Sequence, residues 1–251
     1  MDARETISTN DSRAQASRVD ALNQRYAEVD AHTIMRAACV EMFFDRVALV
    51  SSFGAEAAVL LHLMARIAPS TPVIFLDTLK HFPETTNYVR ELAGELGLGV
   101  VVNAFPGKAQ IESDDPKGDL HQRDSDLCCH VRKTMPLLRA LRPYDAYFTG
   151  RKQSQTEDRQ AMTPFEGYGR WIRINPLWNW SPDDIEGYFE EHGLPRHPLY
   201  EKGYLSIGCA PCTRAVREGE DARAGRWADS DKTECGIHVD ENGRVVRGDA
   251  G

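Results

Sequence analysis

The sequence predicts an α/β fold with a mostly parallel sheet flanked by helices. Three observations carry the prediction. Short apolar runs of strand length, such as RVALVS, PVIFL and YDAYFT, punctuate the chain. Between them lie longer stretches whose apolar residues recur at helical spacing, and alternation of this kind builds parallel sheets. Finally, 251 residues, 41% of them hydrophobic and 27% charged, suffice for a sizeable core without disulfide staples.

The elements follow in chain order. Residues 1–17 are polar and almost free of large apolar side chains, so they are expected to be disordered. Residues 18–218 read as a single α/β domain, and 219–251 as a charged, Gly-rich flexible tail. Val19, Leu22, Tyr26, Val29, Ile34, Met35 and Ala38 predict a helix over 18–44. Arg46–Ser51 is a strand, Ser52-Phe53-Gly54 a turn, and Ala55–Ala68 a helix. Pro72–Leu76 is a second strand ending in Asp77-Thr78. Pro83–Leu96 is a helix with Pro in its first turn, where a missing N–H does little harm. Val100–Val102 is a third strand, followed by a polar stretch over 107–126. Leu127–Leu141 reads as a helix opening on two cysteines, and Tyr144–Thr149 as a strand running into Gly150-Arg151. Residues 153–168 read as loop and Trp171–Ile174 as a strand. Ser181 caps a helix that stops at Gly193.

Ligands of open parallel sheets bind at the carboxyl ends of the strands. Ser51-Ser52-Phe53-Gly54, Asp77-Thr78 and Gly150-Arg151 fall there. The first of these also opens a helix, and helix N-termini favour anions. It lacks the spacing of a Walker loop, and an ordinary tight connection is the bland alternative. Thirty Lys and Arg against 38 Asp and Glu give a net charge of −8, which excludes general nucleic-acid binding. No run of 18 apolar residues spans a membrane, and the polar N-terminus has no secretory signal, so the cytoplasm is expected.

Six cysteines in a reducing compartment point to metal binding or chemistry more than to disulfides. Cys128 and Cys129 are adjacent, while Cys209 and Cys212 form a C-x-x-C. Together they suit a [4Fe–4S] cluster, a structural zinc site or thiol redox chemistry. Adjacent thiolates diverge, which favours separate irons over one small zinc ion. Cys39 sits on an apolar-leaning helix face and reads as a buried structural residue. Cys235 stands apart in KTECGIH, where Lys232 and His238 favour its thiolate and Glu234 opposes it. Arg132 and Lys133 follow the first cysteine pair, and Arg223 and Arg226 follow the second. Basic residues beside both pairs in an acidic chain suggest an anion pocket, for which the Arg fork suits phosphate and sulfate.

SSFGAE, FLDT, FPET, CCHVRKTMPL, TGRKQSQTEDR, IGCAPCTRAVREGEDARAGRW and KTECGIH, spread over residues 46–239, together carry a likeness. The chain resembles the assimilatory sulfonucleotide reductases, in particular the thioredoxin-dependent, iron–sulfur type of adenylylsulfate (APS) reductase. The resemblance implies an adenine-nucleotide α-hydrolase-like (PP-loop-like) fold and a [4Fe–4S] cluster on Cys128, Cys129, Cys209 and Cys212. It implies reduction of APS to sulfite and AMP through an S-sulfocysteine on Cys235, in sulfate assimilation for cysteine biosynthesis. Thioredoxin or glutaredoxin would be the reductant, with no nucleic acid or membrane partner and with room for a homo-oligomer. Ser51, Ser52, Phe53, Gly54, Asp77 and Thr78 would contact the nucleotide. Arg132, Lys133, Gly150, Arg151, Arg223, Arg226 and His238 complete the expected substrate-binding set. The alternative is a reductase of phosphoadenylylsulfate (PAPS), or of both. Two positions depart from the family pattern. Leu79 stands where Gly usually follows Asp-Thr, and Trp227 stands alone where a tryptophan run is usual.

Overall fold

A computed structural model describes residues 9–227 of the chain. Among them, six strands form one sheet in the order β3-β2-β1-β4-β6-β5. The strands are β1 (Val47–Ser51), β2 (Val73–Phe75), β3 (Val101–Asn103), β4 (Ala146–Phe148), β5 (Phe165–Tyr168) and β6 (Trp171–Ile174). Every neighbouring pair is parallel except β5 and β6. The chain steps outward from β1 through β2 to β3, then returns to lay β4 on the other side of β1. That reversal opens a crevice between the carboxyl ends of β1 and β4, where open α/β sheets hold their ligands.

The strands are apolar on both faces because helices cover both. Val47, Leu49, Val73, Phe75, Ala146 and Phe148 face one core, and Ala48, Ile74 and Tyr147 the other, in the period of two that a pleated strand imposes. The first core is closed by α2 (Ala31–Ala37), α3 (Ala57–Ile67), α4 (Pro83–Leu96) and α9 (Pro182–His192), through Ile34, Met35, Leu61, Met64, Leu92 and Phe189. The second is closed by Leu137 of α8 (Met135–Ala140) with Leu141 and Trp171. Each fully buried side chain of this size contributes about 1.5–3 kcal/mol.

Several expectations change. Residues from Thr9 are helical, not disordered: α1 runs Thr9–Tyr26. Its side chains have tertiary partners, since Gln15 Nε2 donates to the Trp171 carbonyl and Asn23 both donates to and accepts from the backbone of Phe165. The single helix expected over 18–44 breaks after Tyr26, because Asp30 caps a new helix by accepting from the Thr33 amide at 2.9 Å. The polar stretch holds α5 (Lys108–Asp114) and α6 (Leu120–Arg123). The loop read over 153–168 contains β5, which pairs along β6. The tail does not begin at 219: Gly225 packs against the Arg214 backbone and Trp227 is buried. Residues 228–251 lie outside the described region. Among the described residues no helix is long and apolar enough to cross a membrane.

Candidate active site and cysteine pocket

The β1–α3 connection forms one wall of the crevice. Ser51 ends the strand, and its Oγ accepts the Phe53 amide at 3.0 Å. Phe53 holds a positive φ of 48°, uncommon for a bulky residue, and its fully buried ring meets Phe75 edge-on at 5.5 Å. Ser52 is exposed. At Gly54 a Cβ would stand 3.1 Å from the Ile207 carbonyl, so the loop leading to Cys209 packs directly on this turn. The opposite wall follows β4. Gly150 is exposed, and Arg151 donates to Glu166 Oε2 at 2.6 Å. Burial lowers the pKa of Arg151, and the nearby Arg173 adds to that. Lys152 joins the two walls, since its buried ammonium donates to Glu56 Oε2 at 2.7 Å.

The β2 connection turns on Asp77, whose Oδ1 accepts the Leu79 amide at 2.9 Å. Leu79 is left-handed at φ 59°, a conformation that favours glycine, and its side chain is 58% exposed. The position thus holds a glycine-like backbone conformation in a leucine. Thr78 is buried, with Oγ1 3.3 Å from Cys209 Sγ. His81 follows: its Nε2 sits 3.0 Å from the Leu76 carbonyl, burial lowers its pKa, and it feels the charges of Asp77, Lys133 and Arg226.

The four predicted cysteines come together. Cys128 and Cys129 close α7 (Ser125–Cys129), and Cys209 precedes and Cys212 ends a short 3-10 turn (Ala210–Cys212). All four line one pocket with Lys80, His121, Arg132 and Lys133. None is in a disulfide. Burial, and then Cys129, push the Cys128 thiol up to about 11. Burial, and then Cys209, likewise raise Cys212. Among the described residues no group of three or more His, Cys, Asp or Glu side chains is gathered tightly enough to hold a metal ion. The thiols ring a pocket instead of meeting at one point.

After α7 the helix widens to a π turn over His130–Thr134, where the Met135 amide reaches the His130 carbonyl. Such turns recur at functional sites, and this one carries Arg132 and Lys133. Arg132 is buried, donating to the Thr78 carbonyl at 2.8 Å and to Asp115 Oδ2 at 2.5 Å. The expected anion ligand is therefore a strut between β2 and the cysteine helix, while Lys133 and Lys80 are the lysines partly exposed on the pocket. Burial opposes the Asp115 charge, but hydrogen bonds from Arg132 and the Leu120 amide hold its pKa below the usual range. The second cysteine segment is tied in by the Ala210 amide on the Lys80 carbonyl (2.7 Å) and the Trp227 amide on the Cys212 carbonyl (3.1 Å). Arg226 lies over the Trp227 ring at 4.4 Å and against Gly208, where a Cβ would collide with its guanidinium. Arg223 donates its amide to Asp221 Oδ1 at 2.7 Å, in the turn before Arg226.

Cys39 is buried 3.9 Å from Thr71 Oγ1, away from the pocket, in the structural role expected. Cys235 and His238 lie outside the described residues. Sequence reasoning missed Lys80, His81, Asp115 and His121. Lys80 and His81 sit between the FLDT and FPET motifs, which were read only for their neighbours, and His121 shares the polar stretch with Asp115. Asp115 lies in the polar stretch, where nothing in sequence marks it as buried.

Residues 46–215 match the family of the phosphoadenosine phosphosulfate reductase domain. An adenosine 5'-phosphosulfate reductase of Chelativorans sp. (strain BNC1) is 50% identical over 220 residues, 87% of this chain and 89% of the relative. The chain belongs to the APS/PAPS reductase family. A crystal structure of PAPS reductase from Candida auris, in complex with phosphate, superposes with a TM-score of 0.66 at 29% identity, covering 79% of this chain and 96% of that one. A Candida glabrata FMN adenylyltransferase shares the fold, with a TM-score of 0.52 at 16% identity over 81% of this chain and 71% of the other. The predicted adenine-nucleotide α-hydrolase-like architecture is thus the observed one.

Proposed function

We propose that the chain reduces APS to sulfite and AMP at the expense of a thioredoxin- or glutaredoxin-type dithiol, as a step of sulfate assimilation toward cysteine. The observation that carries this reading is the gathering of four cysteines, none in a disulfide, from two distant segments around one pocket, with Lys133 on its wall, beside the crevice at the strand ends. Relatives named as APS reductases supply the substrate class.

The reaction runs in two steps. The Cys235 thiolate attacks the sulfur of APS, the S–O bond to the phosphate breaks, and AMP leaves with the bonding pair. The product is an S-sulfocysteine. A thiolate of the reduced dithiol then attacks Cys235 Sγ, sulfite leaves, and the partner's second thiol resolves the mixed disulfide. The two electrons come from the dithiol, which ends as a disulfide. Splitting the reduction in this way avoids one difficult step.

Ser51–Gly54 and Asp77-Thr78 hold the nucleotide in this reading, with Gly150 and Arg151 on the facing wall. Lys133, Arg223, Arg226 and His238 offset the repulsion between an anionic nucleophile and an anionic sulfonate, and stabilise charge on the departing phosphate. The pocket fits a [4Fe–4S] group. Its donor set is four thiols, and two buried nitrogens in its wall, Arg132 Nε and His121 Nδ1, have no hydrogen-bond partner and would find one in sulfur. Cys128, Cys129, Cys209 and Cys212 would hold it, and it would supply a fixed charge beside Lys133 and a tie between the two cysteine segments. The chemistry needs reduced thiols, which supports a cytoplasmic location.

The test is an anaerobic assay of sulfite release from APS and, in parallel, from PAPS, with reduced thioredoxin. Iron-loaded protein should turn over APS far faster than PAPS, and comparable rates would shift the reading to dual specificity. Cys235→Ser should abolish both sulfite release and the protein mass gain of one SO3 group. A Cys235→Ser chain that still gains that mass would overturn the nucleophile assignment.

A further inference from the structure

We propose that His121 is a positioning residue of the cysteine centre, its Nδ1–H donating a hydrogen bond to a sulfur of the group held by the four cysteines. The proposal rests on the cluster reading above and deepens it. His121 lines the same pocket as Cys128, Cys129, Cys209 and Cys212. Its Nδ1 is buried and has no hydrogen-bond partner among the described residues. In the tautomer that protonates Nδ1, which the proposal assigns, an unmet buried N–H costs about 1–3 kcal/mol, so its natural completion is an acceptor inside the pocket. The basic neighbours on the pocket wall supply none, because Arg and Lys are donors only. Lys80 moreover already donates to the Gly118 carbonyl at 2.6 Å. Besides the Ser125 hydroxyl, sulfur is the acceptor the pocket offers.

His121 is held in place by the residue that holds Arg132. Asp115 Oδ1 accepts the Leu120 amide at 2.8 Å and so fixes the first turn of α6, which carries His121. Asp115 Oδ2 accepts from Arg132 at 2.5 Å. One buried carboxylate thus holds both residues whose unpartnered nitrogens, His121 Nδ1 and Arg132 Nε, belong to the wall that carries the four cysteines. Donors around metal-bound sulfur stabilise the bound group and tune its electronics. No bond to His121 forms or breaks. Its contribution is a fixed N–H.

The experiment compares anaerobically prepared wild type, His121→Leu, His121→Asn and His121→Gln as full chains. It measures iron and sulfide content, Fe–S stretching bands by resonance Raman, and the lifetime of visible absorption under an iron chelator. The Asn amide N–H stands close to the place of Nδ1, whereas that of Gln reaches further. His121→Leu and His121→Gln should bleach about tenfold faster with shifted Fe–S bands, while His121→Asn stays within about twofold of wild type. If His121→Leu fails to fold, the Asn and Gln variants decide, and equal lifetimes in those two overturn the proposal. Wild-type lifetimes and bands in His121→Leu also overturn it. Wild type that carries zinc and no iron overturns the cluster reading itself, a result separate from any effect of His121.

Discussion

The apolar core beneath β1 and the cysteine pocket at its carboxyl edge are built by opposite means. The core holds together through area. Ile34, Met35, Leu49, Leu61 and Met64 are fully buried, and their attraction is non-directional. The pocket is held by a few directional contacts, above all the buried Arg132–Asp115 pair and the bonds of Thr78 and Lys80 to the Cys209 segment. It also carries backbone strain. Among the described residues, three of the four non-glycine residues with positive φ, Phe53, Leu79 and Trp227, lie around the site. A core of many small contributions loses a side chain gradually, whereas a pocket hung on one buried charge pair does not.

The largest expected effect is Asp115→Ala. It leaves the buried Arg132 charge unpaired and should cost about 3–5 kcal/mol in urea unfolding. It should also loosen bound metal in the pocket, because the segment that carries Cys128 and Cys129 is anchored through that pair. Leu61→Ala, on the core side, should cost a similar 2–5 kcal/mol, roughly, yet leave metal content unchanged. The contrast breaks if Asp115→Ala is mild, or if Leu61→Ala empties the pocket as well.

An intermediate effect concerns His197, which stands between the two regions and ties the loop leading to Cys209 onto α4. It is fully buried. The Leu199 amide donates to its Nδ1 at 3.1 Å, so Nε2 carries the proton and donates to Thr85 Oγ1 at 3.0 Å. Burial pulls its pKa down to about 4. The sign follows from proton counts. Between the ordinary histidine value and about 4 the unfolded chain binds the proton and the folded chain does not. The contribution of His197 is therefore complete above that window and lost as pH falls through it, up to about 3 kcal/mol. Melting temperatures across the window should fall more steeply for wild type than for His197→Asn. Parallel slopes would show that His197 is not the acid-sensitive tie.

The smallest effect is Leu79→Gly. It relieves a left-handed leucine whose exposed side chain gains little from packing, but it also loosens the unfolded chain, so a net gain of under about 1 kcal/mol is expected. A loss of stability in the same urea experiment would mean that the Leu79 side chain holds the pocket rim in a way its exposure does not suggest.

Much of this was legible in the residues. Alternating strand and helix patterns determined the parallel sheet, because apolar periodicity is a local property that packing only confirms. The capping Ser181 and the Gly193 stop marked α9 in the same local way. The motifs marked the cysteines and the loops at the strand ends. What the chain could not show locally was decided by tertiary structure. β5 was missed because its pairing with β6 is a relation between segments. The helical start at Thr9 was missed because its polar residues find partners on β5 and β6, far along the sequence. Arg132 reads as an anion ligand by charge, and only the fold sets Asp115 against it. A charge is written in one residue, but whether it is spent on a ligand or on a buried partner depends on what the fold brings beside it.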